Sequence, residues 1–253
     1  MSPIAIRPDI VVLLCILGGG LAASNAGATA STHIWAPSTD VQRFKSVHVT
    51  SDLYVPMEQG ASGVHPPSVT NLGLTLGALP FEKINLELGL DHKTGYGTLD
   101  SYPMYFNAKL AIPENAFARF SPALAVGIFD AGTKAGLTNY NVLYAKAAKT
   151  LGPAGRVSFG YFGGDQELLL DADGEKDNVG VMAAWERTMP EISDRLWLCV
   201  DYMDTESAYG TLNIGGSWKF ANRMVVLIGY DIYTENRLYP NTVTIQADVD
   251  FGW

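Results

Sequence analysis

Apolar and polar residues alternate with period two along most of this chain. Leu72, Leu74 and Leu76 oppose Gly73, Thr75 and Gly77. Ile84, Leu86, Leu88 and Leu90 oppose Asn85, Glu87, Gly89 and Asp91. Met104, Phe106, Ala108, Leu110 and Ile112 oppose Tyr105, Asn107, Lys109 and Ala111. Leu196, Leu198, Val200 and Tyr202 oppose Trp197, Cys199 and Asp201, and Met224, Val226, Ile228, Tyr230 and Ile232 oppose Val225, Leu227, Gly229 and Asp231. The pattern is longest at the end of the chain, where Val243, Ile245, Ala247, Val249, Phe251 and Trp253 share one face. This is the side-chain period of a β-strand, not of a helix. It predicts twelve strands, at 43–55, 70–79, 83–92, 103–112, 121–130, 139–150, 155–163, 178–188, 195–204, 208–220, 223–233 and 242–253. Inside and outside are ambiguous in the sixth, where Lys146 and Lys149 fall on opposite parities.

Between the strands, the connections alternate in length. Short turns follow even strands: Pro80 to Glu82, Gly152 to Ala154, Met189 to Asp194 and Ala221-Asn222. Longer ones follow odd strands: Pro56 to Val69, Lys93 to Tyr102, Asp130 to Thr138, Gly164 to Asp177 and Thr234 to Asn241. Thr205 to Ser207 is short where a long loop is expected, and Pro113 to Phe120 is long for its class. An even-stranded up-and-down meander that crosses a membrane has short turns on one side and long loops on the other.

Alternation alone does not say which face meets lipid, because a soluble barrel shows the same pattern turned inside out. Strand lengths near ten residues suit a tilted crossing, which needs about 9–11. Aromatic residues near strand ends read as interfacial girdles: Tyr54, Tyr102, Phe120, Phe129, Tyr140, Trp185, Trp218, Phe220, Tyr233, Phe251 and Trp253. Mid-strand Gly, Asn, Asp and Glu on the opposite face suit a wet lumen. The expected fold is therefore all-β: an antiparallel transmembrane barrel of about twelve strands with both termini periplasmic.

The start of the chain reads as a secretory signal peptide. Arg7 precedes an apolar run from Ile10 to Leu17, too short to span a membrane as a helix, followed by small residues. Cleavage is expected after Ala26 or Ala30, which divides the chain into a leader over 1–30 and a barrel domain over 31–253. Cys15 lacks the small residues that a lipid-anchor site needs before its cysteine. Cys199 then remains alone, and no internal disulfide is possible.

The net charge of -9, with no basic cluster, argues against a nucleic-acid partner. Twelve tilted strands close to a barrel about 24 Å across, which leaves a passage of about 10–14 Å unless loops fold in. The inward set is read as Asn85, Glu87, Asp91, Asn107, Lys109, Glu186, Asp201, Asn213, Lys219, Asp231, Gln246, Asp248 and Asp250. Acids outnumber bases there, and such a lumen favours cations. Glu87 and Lys109, one strand apart, can also form a structural pair that helps to fill a closed barrel.

Little points to catalysis. His33, His48, His65 and His92 stand at no spacing that implies a nucleophile or a shared metal, and Cys199 reads as a small buried residue. No cofactor is expected. One stretch has metal-ligating character, with Asp171, Asp173 and Asp177 around Gly174. It lacks the full ligand spacing and the late glutamate of a calcium loop, and Asp and Gly are ordinary hairpin-tip residues.

A terminal amphipathic strand that ends on an aromatic, here Phe251 and Trp253, resembles the assembly signal of bacterial outer-membrane barrels. The segments YPMYFNAKLAIPE, SPALAVGIFDAGTKAGLTNYNVLYAKAAKTL and WERTMPEISDRLWLCVDY are similar to uncharacterised porin-like barrels of Gram-negative bacteria. That resemblance implies an integral outer-membrane protein in contact with lipid and lipopolysaccharide, delivered by the barrel-assembly machinery. The resemblance attaches no substrate; the acidic lumen, with elimination among twelve-stranded barrels, leaves a narrow channel for small polar or cationic solutes, with a closed structural or partner-binding barrel as the alternative and a lipid-modifying enzyme as a third. The basic lumens of sugar-acid channels are not matched, and no residue is carried over from any relative.

Overall fold

The computed structural model describes residues 31–60 and 63–253. The leader expected over 1–30 and its cleavage sites lie outside the described residues. The twelve strands are β1 Ser46–Pro56, β2 Val69–Gly77, β3 Asn85–Thr94, β4 Met104–Ile112, β5 Ala123–Gly132, β6 Asn139–Thr150, β7 Arg156–Gly163, β8 Val179–Thr188, β9 Leu196–Met203, β10 Thr211–Ala221, β11 Met224–Tyr233 and β12 Thr242–Gly252. Each pairs antiparallel with its sequence neighbours, and β1 closes the cylinder against β12. The seam runs in unbroken register from Ser46↔Gly252 to Pro56↔Thr242. The start of β1 and the end of β12 therefore share one rim, here the terminal end. The connections after odd strands gather at the opposite rim, the loop end.

The apolar face points outward. Leu72, Leu74, Leu88, Phe106, Val126, Leu143, Phe159, Ile214 and Ile228 are exposed on the outside of the cylinder, while His48, Glu87, Lys109, Lys146, Asp201, Asn213, Asp231, Gln246 and Asp248 are buried within it. A soluble barrel buries the opposite set, so the exterior is chemically matched to hydrocarbon and the soluble alternative is disfavoured. Strand β6 follows the same rule: Val142, Tyr144, Lys146 and Ala148 point inward. Lys149 breaks parity because it sits at the terminal rim, where its ammonium reaches out to Glu114 at 2.6 Å.

The aromatic girdle needs correction. Tyr54, Phe129, Tyr140 and Tyr233 are not interfacial. They share the parity of inward residues and pack inside the lumen with Trp35 and Tyr209. Alternation places them there, and nearness to a strand end does not override it. A bulge between β5 and its neighbours adds to this cluster. Asp130 takes φ 54, the register slips beside it, and its carboxylate turns inward after the equally inward Phe129. The exposed Phe120, Trp218, Phe220 and Trp253 remain outside.

One half of the interior is packed like a soluble core. Val142 and Tyr144 of β6, Phe162 of β7, Met182 of β8 and Met203 of β9 meet Leu169, from the connection after β7, and Tyr209. Leu169 has no exposed surface, so that connection folds into the barrel mouth rather than standing away from it.

Candidate functional site: the lumen and its N-terminal hairpin

The bore of about 10–14 Å that twelve strands imply is not clear of protein. Residues 31–45, read from sequence as the first stretch of the barrel domain and the start of its first strand, instead enter the lumen from the terminal end. They fold back on themselves. Thr32 bridges Pro37, the His33 N–H donates to the Ala36 carbonyl at 2.9 Å and the Ser38 N–H to the Ser31 carbonyl at 3.2 Å. The tip, Ile34-Trp35-Ala36, reaches the middle of the barrel.

The tip sits on Asp201. Its carboxylate, with no exposed surface, accepts the N–H groups of Ile34 at 2.8 Å, Trp35 at 3.2 Å and Ala36 at 3.1 Å, and the Asn213 amide at 2.8 Å. Successive main-chain N–H groups around one anion form a nest, and charge-assisted bonds of this kind are stronger than neutral ones. The Ile34 side chain lies against β10 and β11, where a Cβ on Gly229 would come within 2.8 Å of its Cγ2. Only glycine leaves room for the hairpin there. Ile34 also covers Trp197, Cys199 and Leu227.

The flanks of the hairpin are held by charged groups of the wall. Lys146 Nζ donates to the Pro37 carbonyl at 2.8 Å. Lys109 Nζ donates to the carbonyls of Ser31 at 2.8 Å and Asp40 at 2.5 Å, and lies 3.0 Å from Glu87. Glu87 accepts the Gln42 N–H at 2.9 Å. Arg156 spans Asp40 at 2.7 Å and the Thr39 hydroxyl at 2.6 Å, and the Gln246 amide donates to the Ile34 carbonyl at 2.8 Å. Buried lysines without such partners would be costly, and here the carbonyls of the hairpin supply them.

All thirteen residues of the expected inward set belong to strands whose polar face lines the lumen, but they do not share one role. Glu87, Lys109, Glu186, Asp201, Asn213 and Gln246 anchor the hairpin or brace what anchors it: Glu186 faces His33 and Arg156, each at 3.5 Å, and accepts the Trp197 indole N–H at 3.1 Å. Asp91, Asn107 and Asp248 line a cavity beside the hairpin. Asp250 lies 2.9 Å from His48 at the terminal end, and Asp231 accepts the Thr242 hydroxyl at 2.7 Å. Asn85 and Lys219 lie near the terminal rim, paired in register with Ala111 and Val225. Phe251 pairs with Val47 at the seam, and Trp253 follows it, 74% exposed.

The cavity, about 250 Å³, runs along the β12–β1–β2–β3–β4 side of the lumen. At the loop end it reaches Tyr96, Leu99 and Tyr239, and at its floor His48, Glu87 and Lys109. Trp35 at the hairpin tip stands within it, 5.6 Å from Tyr54 and 6.0 Å from Tyr233 between ring centroids. Asp130 holds Lys93 at 2.5 Å and accepts the Tyr209 hydroxyl at 2.6 Å. Burial pushes that Tyr209 phenol well above its usual range, and the Asp130 charge adds to the effect.

The other candidates do not assemble. His48 has its two ring nitrogens facing Asp250 at 2.9 Å and Asp248 at 3.3 Å, with neither set against a hydroxyl. His92 is exposed on the apolar outer face and His65 on a loop. The Asp171 carboxylate accepts the N–H groups of Asp173 and Glu175, a local turn, while Asp177 turns away to the Thr205 hydroxyl and the Glu206 N–H. Among the described residues no three His, Cys, Asp or Glu side chains are grouped to hold a metal ion.

As an element the hairpin is not legible in the sequence, since 31–42 follows neither period. The signal that could have found it is an aromatic and apolar cluster, His33-Ile34-Trp35, ahead of the first strand of a barrel whose inward acids outnumber its bases.

No protein-family model matches the chain, and no curated protein does. Among solved structures it is similar to the KdgM porin, at 8% identity and a TM-score of 0.49 over 82% of this chain and 99% of that one. It is also similar to a mutant of the Rh. blastica porin, at 16% identity and a TM-score of 0.39 over 72% of this chain and 55% of that one. A triple mutant of the Rhodopseudomonas blastica porin gives 14% identity and a TM-score of 0.40. The chain spans about half the length of the blastica porins it matches, 55%. By its own strand order and its apolar exterior, this is a closed, up-and-down antiparallel β-barrel with a lipid-compatible outer face.

Proposed function

We propose that this chain is an integral outer-membrane barrel that passes small polar or cationic solutes through a narrow, acid-lined lumen, with the N-terminal hairpin as its constriction. One observation carries the reading. Around the cavity stand Asp52, Glu87, Asp91, Asp130 and Asp248, against Lys93, Lys109 and His48. A partly desolvated lumen with an excess of carboxylates lowers the energy of a cation in transit and raises that of an anion. Lipid and lipopolysaccharide would surround the apolar exterior, and the assembly machinery would engage the last strand.

The test is single-channel conductance of refolded protein under a salt gradient, with and without residues 31–40. Small cation-preferring steps that grow when the hairpin is removed support the reading. A reversal potential of the anion-preferring sign sinks it. The extensive anchoring of the hairpin favours a second reading, a closed structural or partner-binding barrel. Silence from hairpin-deleted protein, shown to be folded by heat-dependent gel mobility, would select it. A lipid-modifying activity has less support, because no histidine here is set against a nucleophile. Lipid turnover in micelles by the refolded protein would revive that third reading.

A further inference from the structure

The cavity beside the hairpin has two chemically different walls. On the β12–β1–β2–β3 side stand Asp248, Asp52 and Asp91. Asp52 accepts the Thr50 hydroxyl at 2.6 Å and the Asn71 amide at 3.0 Å. Asp91 accepts the Asn71 amide at 3.3 Å and the Asn107 amide at 2.5 Å. These donors are neutral. They satisfy lone pairs and orient the carboxylates without cancelling charge. Gly73 of β2 makes the grouping possible, since a Cβ there would lie 2.6 Å from both Asp91 Oδ1 and Thr50 Cγ2.

The two lysines nearby are committed elsewhere, and His48 touches one carboxylate of this wall, Asp248, which leaves Asp52 and Asp91 without a cation in contact. Lys93 is bound to Asp130, and Lys109 to Glu87 and two hairpin carbonyls. His48 is shared between Asp248 and Asp250. Asp248 is only 3% exposed, and its Oδ2 has no hydrogen-bond partner although the residue lines the cavity. A buried carboxylate oxygen without a partner is costly and marks a place where a donor is missing.

Next to the carboxylates the cavity is aromatic: Trp35 from the hairpin tip stands against Tyr54, which is two residues along β1 from Asp52, with Tyr209 and Tyr233 around it. Rings do little for a hydrated metal ion, but they attract alkylated ammonium groups through their faces and bury the attached hydrocarbon. The carboxylates are also not grouped as metal ligands.

We propose that this cavity binds a small organic ammonium ion, with the charged nitrogen toward Asp52, Asp91 and Asp248 and the hydrocarbon against Trp35 and Tyr54. The inference rests on the reading of the lumen as accessible to solute from the loop end. It does not need the solute to pass through.

The test is calorimetric titration of the refolded full chain in detergent with choline chloride, potassium chloride at equal ionic strength, and glucose. Saturable binding of choline, about tenfold or more tighter than potassium, is expected. Asp52→Asn and Asp91→Asn keep the shape of the side chain while removing its charge and one acceptor oxygen, and each should weaken choline about tenfold. Trp35→Leu should weaken choline while leaving the potassium titration unchanged. Equal binding of potassium and choline would show a response to charge alone and overturn the proposal. So would binding of glucose in place of choline, or no choline binding by protein of folded gel mobility. Conductance separates this from the reading of the barrel as a channel: choline binding without conductance removes the channel and keeps the site, and conductance without choline binding does the reverse.

Discussion

The two halves of the lumen are built on the same alternation and do opposite things. From β6 to β9 the inward positions Val142, Tyr144, Phe162, Met182 and Met203 close over Leu169 as an apolar core, with Lys146, Glu186 and Asp201 beside it holding the hairpin. From β12 round to β4 the inward positions carry Asp248, His48, Asp52, Asn71, Asp91 and Asn107, and they leave a cavity. Period two fixes which residues face inward. It does not fix whether the inside is filled. That depends on the volume and polarity of the inward set, and here one half has the apolar bulk to exclude water and the other does not. The hairpin lies along the border, bound by main-chain N–H groups to Asp201 of the packed side and presenting Trp35 to the open one.

Truncation on the packed side should produce the largest effect. Phe162 has no exposed surface, and Phe162→Ala should cost about 3–5 kcal/mol in detergent unfolding. A loss below about 1 kcal/mol would mean that this half is as loose as the other.

At the border, Asp201→Ala removes the acceptor of three hairpin N–H groups and one amide. It should weaken hairpin docking by about 2–4 kcal/mol, which raises the undocked population more than tenfold. Cys199 reports this directly. It is the one free cysteine among the described residues, and it is buried under Ile34. Its modification by a thiol reagent in the folded barrel should speed up by about the same factor. An unchanged rate would show that the hairpin is held by its flanks and not by its tip.

On the open side, Thr75→Ala at the cavity wall should change unfolding by less than about 1 kcal/mol. A cost like that of Phe162→Ala would erase the distinction between the halves. The smallest effect belongs to the terminal rim. Burial alone would raise the Glu114 carboxyl, but the Lys149 ammonium together with the Thr150 hydroxyl and N–H outweighs it and holds the group below its usual value of 4.5. A group lowered on folding contributes stability above its unfolded pKa and loses it as pH falls through the folded value. Glu114→Gln should therefore cost about 0.5 kcal/mol or less at neutral pH and nothing in strong acid. A difference that persists below the folded value would assign the effect to hydrogen-bond geometry and not to charge.

Much of the cylinder is legible in the sequence because period two is a local property. The sixth strand, expected at 139–150, spans Asn139–Thr150, and the first starts at Ser46 rather than 43. The residues missed at that first edge are those that turn out of the hairpin. Lys149 looked ambiguous because rim positions escape the parity rule. Tyr54, Phe129, Tyr140 and Tyr233 stand near strand ends, where a girdle is expected, but parity decides and turns them inward. The hairpin was not legible because its structure is imposed by distant residues. Ile34 depends on Asp201, Gly229 and Gln246, and no pattern within 31–45 encodes those meetings.

That dependence has a consequence for how the molecule is made. The hairpin bonds Gln42 to Glu87, Pro37 to Lys146, Asp40 to Arg156, Ile34 to Asp201 and Ile34 again to Gln246, across sequence separations of 45 to 212 residues. Its partners come from β3, β6, β7, β9 and β12, and they surround one point only after β12 has zipped to β1. The stretch that precedes every strand thus depends on partners from strands spread along the whole barrel. A strand out of register would withhold one of these partners, so the full set of hairpin bonds is available only to a barrel closed in the register seen here.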